Sequence, residues 1–176
     1  RLDPKSVLAF RNRGLAYDKK GDYDRAIADF SEAIRLDPKY ALAFYSRGLT
    51  YETKGDNDRA ISDFNDAIRL NPNYAPAWSS LAESTSLEAT PGGSEGRIGA
   101  MPKAVAYARH ALQLAPDLAD GHRVLASLLP YGSPEALSHL RRAAQLDPNN
   151  AASLLDLGAA LGAAGEFDAE MSSYQR

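Results

Sequence analysis

The chain has no cysteine among its 176 residues. Disulfides, thiolate zinc sites, cysteine nucleophiles and covalent haem attachment are therefore excluded, and nothing in the composition reports the redox compartment. No apolar run approaches the roughly 18 residues that a membrane span needs, and no basic-then-apolar leader opens the sequence. Neither membrane insertion nor an intact secretory precursor is expected. No sign of charge dominates, because 20 Lys and Arg stand against 23 Asp and Glu for a formal net charge of -3. Phosphate neutralisation wants an excess of cations, so nucleic acid is not expected as the main partner.

What the chain does have is a period. Pro4, Pro38 and Pro72 are 34 residues apart, and Pro116 and Pro148 follow at intervals of 44 and 32. Laid over residues 41–74, residues 7–40 are identical at 22 of 34 positions, among them Phe10/Phe44, Gly14/Gly48, Tyr17/Tyr51, Gly21/Gly55, Ala26/Ala60, Phe30/Phe64 and Ala33/Ala67. A fixed period in the range of about 20 to 50 residues signals stacked units, each too thin to bury its own apolar face without a neighbour.

Each unit reads as two helices. In the first, Leu8, Phe10, Arg13, Gly14 and Tyr17 recur at helical spacing, and Gly21 supplies a left-handed residue to close the helix. Asp22 stands where an N-cap is wanted. Ala26, Ile27, Phe30, Ala33 and Ile34 then form an apolar stripe that ends at Asp37-Pro38, because proline cannot continue a helix. Gly14 and Ala26 fall where the two antiparallel helices approach most closely, and Phe10, Tyr17 and Phe30 fill the space left over.

These residues resemble the tetratricopeptide repeats, whose signature is an aromatic, Leu-Gly, Tyr, Ala, Phe, Ala and Pro across about 34 residues. Residues 7–40 and 41–74 fit closely, with Arg13 and Arg47 where the family usually has Leu. Residues 75–118 keep Trp78, Leu81, Ala82, Ala104, Ala111 and Pro116, with about ten extra residues around Ala89–Ile98. Residues 119–150 keep Leu125, Ala126, Ala136, Leu140, Ala143 and Pro148 with a shorter central turn. A partial unit at 151–176 keeps Leu154, Leu157, Gly158, Leu161, Gly165 and Tyr174, with Glu170 where a small residue is expected. Residues 1–6 resemble the tail of a preceding repeat, so an excised piece of a longer protein is expected. The resemblance implies an all-α, right-handed superhelical solenoid of antiparallel helix pairs.

Catalytic chemistry finds no scaffold in the pattern. His110, His122 and His139 lie in different helices, and no two share a helix face at a spacing of three or four, so no metal site is expected. No serine sits in a Gly-x-Ser-x-Gly elbow. The carboxylate pairs Asp22/Asp24 and Asp56/Asp58 recur at the same place in the repeat, as charges that complement a helix N-terminus would. The segment from Thr90 to Met101 is glycine-rich, but it follows a helix rather than a strand and has Arg97-Ile98 where a phosphate loop has Lys-Ser/Thr. It reads as a flexible inserted turn between two helices, with a contact role open to Arg97. No cofactor is expected.

In such a superhelix the first helix of each pair lines the concave face, as the resemblance implies. Residues that share that face are spaced three or four apart. They are Leu8, Arg11, Leu15 and Asp18, then Leu42, Tyr45, Leu49 and Glu52, then Pro76, Ser79, Glu83 and Ser86, then Asp120, Arg123 and Ser127. The candidate protein-binding groove is Arg11, Leu15, Asp18, Tyr45, Leu49, Glu52, Ser79, Glu83 and Arg123, with packing between helices the alternative role for Leu15 and Leu49. Cochaperones of this family clamp acidic chaperone termini with Lys, Asn and Arg. Here Arg11, Leu15, Ser46, Pro76 and Ser80 stand in those places, and only Arg11 suits a carboxylate. The family's sugar-transferring enzymes use an asparagine ladder, which Asn12 matches once before Ser46, Ser80, Val124 and Asp156. The expected function is a non-catalytic scaffold that takes a peptide or protein surface in its groove. The alternatives are a regulatory or targeting arm of a larger enzyme, and self-association through Leu154, Leu157, Leu161 and Tyr174.

Overall fold

A computed structural model describes residues 6–87 and 94–164, apart from the side chains of 94–98. Among the described residues the chain is helical, with no strand. The helices are α1 (Val7–Asp18), α2 (Tyr23–Leu36), α3 (Ala41–Thr53), α4 (Asn57–Leu70), α5 (Ala75–Leu87), α6 (Ser94–Leu114), α7 (Ala119–Leu128), α8 (Pro134–Leu146) and α9 (Ala151–Ala164). Each packs against the next, so the chain builds a row of helix hairpins. Gly165, Glu170 and Tyr174 lie outside the described residues.

The turns follow from local chemistry. Gly21 and Gly55 both have φ of 76°, a conformation that a Cβ disfavours. At each of them the chain closes with two backbone bonds: Gly21 donates to Asp18 and Asp22 to Tyr17, and Gly55 donates to Glu52 and Asp56 to Tyr51. That is the Schellman arrangement, which satisfies carbonyls the helix end would otherwise leave open. Asp56 caps α4 by accepting from Arg59 N at 3.3 Å. Asp22 occupies the same position but caps nothing with its side chain, which pairs with Arg25 at 3.4 Å instead. The shorter turn before α8 uses Gly132 at φ 70°, and Ser133 Oγ accepts from Ala136 N at 3.2 Å, with Pro134 preset for the first helical turn.

The core depends on one complementary pair in each hairpin. Phe30 and Phe64 are completely buried. A Cβ placed on Gly14 would lie 2.7 Å from Phe30 Cε1, and one on Gly48 would lie 2.7 Å from Phe64 Cε1, so each ring fills the space that its glycine leaves. Where Ala82 replaces the glycine, Ala108 replaces the phenylalanine, and both belong to one buried cluster with Val124 and Leu125. Ala126 is likewise matched by Leu140 in the cluster that also holds Leu157 and Leu161. Alanine in the first position thus goes with a second residue smaller than phenylalanine.

The arginines in place of leucine also have a structural cause. Arg13 donates from Nε and Nη2 to Asp29, both at 2.6 Å, and Arg47 donates in the same two-pronged way to Asp63 at 2.8 Å. Asp29 and Asp63 are 6% and 3% exposed, so each fork neutralises a buried carboxylate between the helices of a pair. The hydrogen bond to Asp63 is the main cause that holds the Arg47 guanidinium above its ordinary value. Further along the chain Leu81 and Leu125 are buried at the arginine's position, and no such fork is needed there.

The expected inserted turn lies partly outside the described residues. Its second part departs from expectation, because the backbone is already helical from Ser94 and α6 runs 21 residues with Pro102 inside it. Extra residues there lengthen a helix as well as a connection. Trp78 is half-buried rather than enclosed, its ring against Tyr107 and His110 and its Nε1 donating to Pro72 O at 2.9 Å. No helix among the described residues is long and apolar enough to cross a membrane.

Candidate protein-binding face

The contacts between hairpins are unequal. α1 touches α3, α3 touches α5 and α5 touches α7, whereas the second helices make no comparable contacts with one another. The first helices therefore form the closer-packed layer. Small buried residues permit it: Ser46, Ser79, Ser80 and Ser84 are each 5% exposed or less.

Hydroxyl-to-carboxylate bonds tie this layer together. Thr50 Oγ1 donates to Asp18 at 2.8 Å, and Ser84 Oγ donates to Glu52 at 2.5 Å. These are one device used twice, since Thr50 and Ser84 stand at equivalent positions and so do Asp18 and Glu52. Ser79 Oγ donates to Asp120 at 3.1 Å. Arg123 Nη2 donates to Glu83 and to Asp120, both at 2.8 Å. Burial works against the Arg123 charge, but Glu83 and Asp120 outweigh it and hold the guanidinium above its ordinary value.

Glu52 is in a different position. It is half-buried, and burial raises its carboxyl above the ordinary value; the bond from Ser84 opposes the rise, while Glu83 and Asp120 add to it. Among the described residues Arg123 is the cation that acts on it, and Arg123 is already held by the other two carboxylates. Glu52 is thus a desolvated anion in a layer short of positive charge.

The expected groove residues divide into several kinds. Arg11, Leu15, Asp18, Leu49, Glu52, Glu83 and Arg123 are half-buried side chains of the first helices. Ser79 is fully buried, so its hydroxyl supports Asp120 from beneath rather than meeting solvent. Tyr45 is committed to packing, with its ring against Phe64 and edge-on to Tyr74 at a centroid distance of 5.0 Å. Burial pushes its hydroxyl up to about 12 against the pull of a hydrogen bond with Ser80. Arg11 Nε is buried without a hydrogen-bond partner, and the Arg11 charge acts on Tyr74.

The three histidines lie on three different helices, as their spacing implied, yet two of them meet. His110 stacks edge-on against Trp78. His122 and His139, on different helices, meet Nδ1 to Nδ1 at 2.8 Å. Spacing along one helix does not reveal this pair, because the hairpin brings their two helices together. Among the described residues no group of three His, Cys, Asp or Glu is placed to hold a metal ion.

Residues 11–75 match the family model described as Tetratricopeptide repeat. The solved structures show that the fold extends beyond them. A thermophilic tetratricopeptide protein of Thermus thermophilus, TTC0263, is similar at TM-score 0.82 and 19% identity over 97% of this chain and 89% of that one. YrrB, described as a tetratricopeptide protein with an unusual peptide-binding site, gives 0.62 and 19% over 92% and 79%. The first tetratricopeptide domain of Spaghetti (RPAP3), solved bound to the HSP90 peptide SRMEEVD, gives 0.61 and 23% over 72% and 95%. No curated protein matches the chain significantly. The chain has the all-α, helix-hairpin solenoid fold of these tetratricopeptide structures.

Proposed function

We propose that this solenoid is a protein-interaction scaffold whose first-helix face takes a segment of a partner protein bearing Lys or Arg among apolar residues. The observation that carries the reading is the makeup of that face. Leu15 and Leu49 offer apolar surface, while Asp18, Glu52, Glu83 and Asp120 exceed the cations Arg11 and Arg123. Glu52 in particular lacks a cation of its own, and an incoming ammonium or guanidinium would supply one. The neighbours solved as peptide-binding proteins support the class of partner. The acidic peptide in the RPAP3 structure is the opposite charge from the one this face favours.

Fluorescence anisotropy with short labelled peptides tests the reading. Apolar peptides carrying Lys or Arg should bind, and Glu52→Gln with Asp18→Asn should weaken them about tenfold, the equivalent of 1.4 kcal/mol. Arg35→Ala, on the second helix of the first pair, should leave binding unchanged. Binding that ignores the two carboxylate substitutions, or that prefers acidic peptides, would overturn the assignment. Self-association is a second reading, favoured by Leu154 and Leu155 on α9 at 47% and 73% exposed. Light scattering over a concentration series tests it, and a monomer throughout would exclude it.

A further inference from the structure

The contact between His122 and His139 has no part in the binding face, and its geometry fixes its own proton count. His122 Nε2 lies 2.9 Å from Pro116 O, and a carbonyl only accepts, so Nε2 carries a hydrogen. In the neutral ring that leaves His122 Nδ1 as a lone pair. The 2.8 Å contact with His139 Nδ1 is then a hydrogen bond donated by His139. A first added proton can settle on His139 Nε2 with every bond kept. A second has only His122 Nδ1 left, where two N–H groups would face each other at 2.8 Å.

We propose that His122 and His139 form a one-proton latch between α7 and α8, closed at neutral pH and opened when acid forces a second proton onto the pair. Both rings are half-buried. Burial, then the neighbouring His122, hold the His139 imidazole below its ordinary value; Glu135 on its own helix pulls the other way and Arg109 of α6 adds to the depression. Arg109 and Glu135 are themselves paired at 3.0 Å. Arg142 of α8 is paired with Asp117 in the turn before α7 at 2.5 Å. On α7, Asp120 and Arg123 are engaged with each other and with Ser79 and Glu83 of α5. Asp156, the one charged residue of α9, is exposed and is not among the charges that act on His139. Among the described residues Glu135, Asp117 and Asp120 are thus each already paired with an arginine.

The sign of the effect follows from the one-proton limit of the pair, and the lowered His139 value has the same sign. Below the ordinary histidine pKa of about 6.5 the unfolded chain takes up a proton that the folded pair resists, so stability is complete above that pH and falls as pH drops through the window beneath it. Because α7 also carries Asp120 and Arg123, opening the latch would loosen the helix that holds one end of the carboxylate network. The latch itself does not depend on the proposed binding function.

Long-range proton–nitrogen spectra of the imidazoles, recorded on the whole chain from about pH 8 to about pH 5, read the tautomers directly. The expected result at neutral pH is His122 protonated at Nε2 and His139 at Nδ1, with the pair taking up its protons in two separated steps. Both rings in the Nε2–H form, or independent single-step titrations, would overturn the latch. His139→Asn keeps a donor near the Nδ1 position and cannot take up the proton, so its melting temperature should fall less than that of the wild type on acidification. An equal fall counts against the proposal, as does loss of the pH dependence in His110→Gln. The wild-type tautomers decide the matter even where the asparagine variant fails to fold.

Discussion

Gly48→Ala puts a methyl group where Phe64 already sits. The new Cβ would be 2.7 Å from Cε1 and 2.9 Å from Cδ1 of a ring that is completely buried. Carbon atoms in contact settle at about 3.5 to 4.0 Å, so the ring or the helix must move by close to 1 Å. Overpacking of this kind costs roughly 1 to 3 kcal/mol, while alanine in place of glycine in a helix returns up to about 1 kcal/mol. The net expectation is a loss of about 1 kcal/mol. Phe64→Leu alone should also destabilise, because it opens a cavity beside Gly48. Together the two changes reproduce the Ala126/Leu140 pair that the fourth hairpin uses, so the double variant should be more stable than the sum of the single losses. Urea denaturation of the wild type and three variants gives the coupling, expected at about 0.5 to 3 kcal/mol in the favourable direction. Additive losses would refute the claim that glycine and ring fill one shared space.

Arg47→Leu should cost about 3 to 5 kcal/mol, because it strands the buried Asp63 carboxylate, and adding Asp63→Ala should recover much of the loss; a small effect in denaturation would show Asp63 hydrated. Arg13→Leu should cost less, since the Arg13 side chain is 43% exposed against 20% for Arg47. Trp78→Ala should fall below the roughly 3 kcal/mol expected of an enclosed tryptophan, because the ring is half-buried. Its fluorescence, the only tryptophan signal in the chain, reports the contact of α5 with α6. Glu52→Gln should raise the melting temperature at neutral pH. The folded state holds the Glu52 proton more tightly than the unfolded state does, so the ionised carboxylate is a burden above its raised pKa and the benefit of Gln fades as pH falls towards the ordinary carboxylate range. A Glu52→Gln protein both more stable and weaker in binding basic peptides would match the proposed face; lower stability would show that the bond from Ser84 outweighs the burial of charge.

The amino-acid sequence by itself determined the helices, their pairing and the family resemblance. These rest on local rules: apolar spacing, glycine at φ 76° in Gly21 and Gly55, proline after the second helices, and a period that repeats the same hairpin. It also showed Gly14 and Gly48 as positions of close approach, because a glycine inside a helix has a cost that only packing returns. What it could not show were contacts between residues whose closeness is created by the stacking. Arg13 and Arg47 read as departures from a pattern until Asp29 and Asp63 came within reach across the hairpin. Ser79 and Tyr45 shared the spacing of a surface face, yet tight approach of the first helices buried one and packing on Phe64 and Tyr74 enclosed most of the other. His122 and His139 are 17 residues apart in sequence and a hydrogen bond apart in space. Spacing along one helix fixes which side chains share a face, but the depth of a residue and its partners on the next helix are set by how closely two backbones pack, and only the tertiary structure decides that.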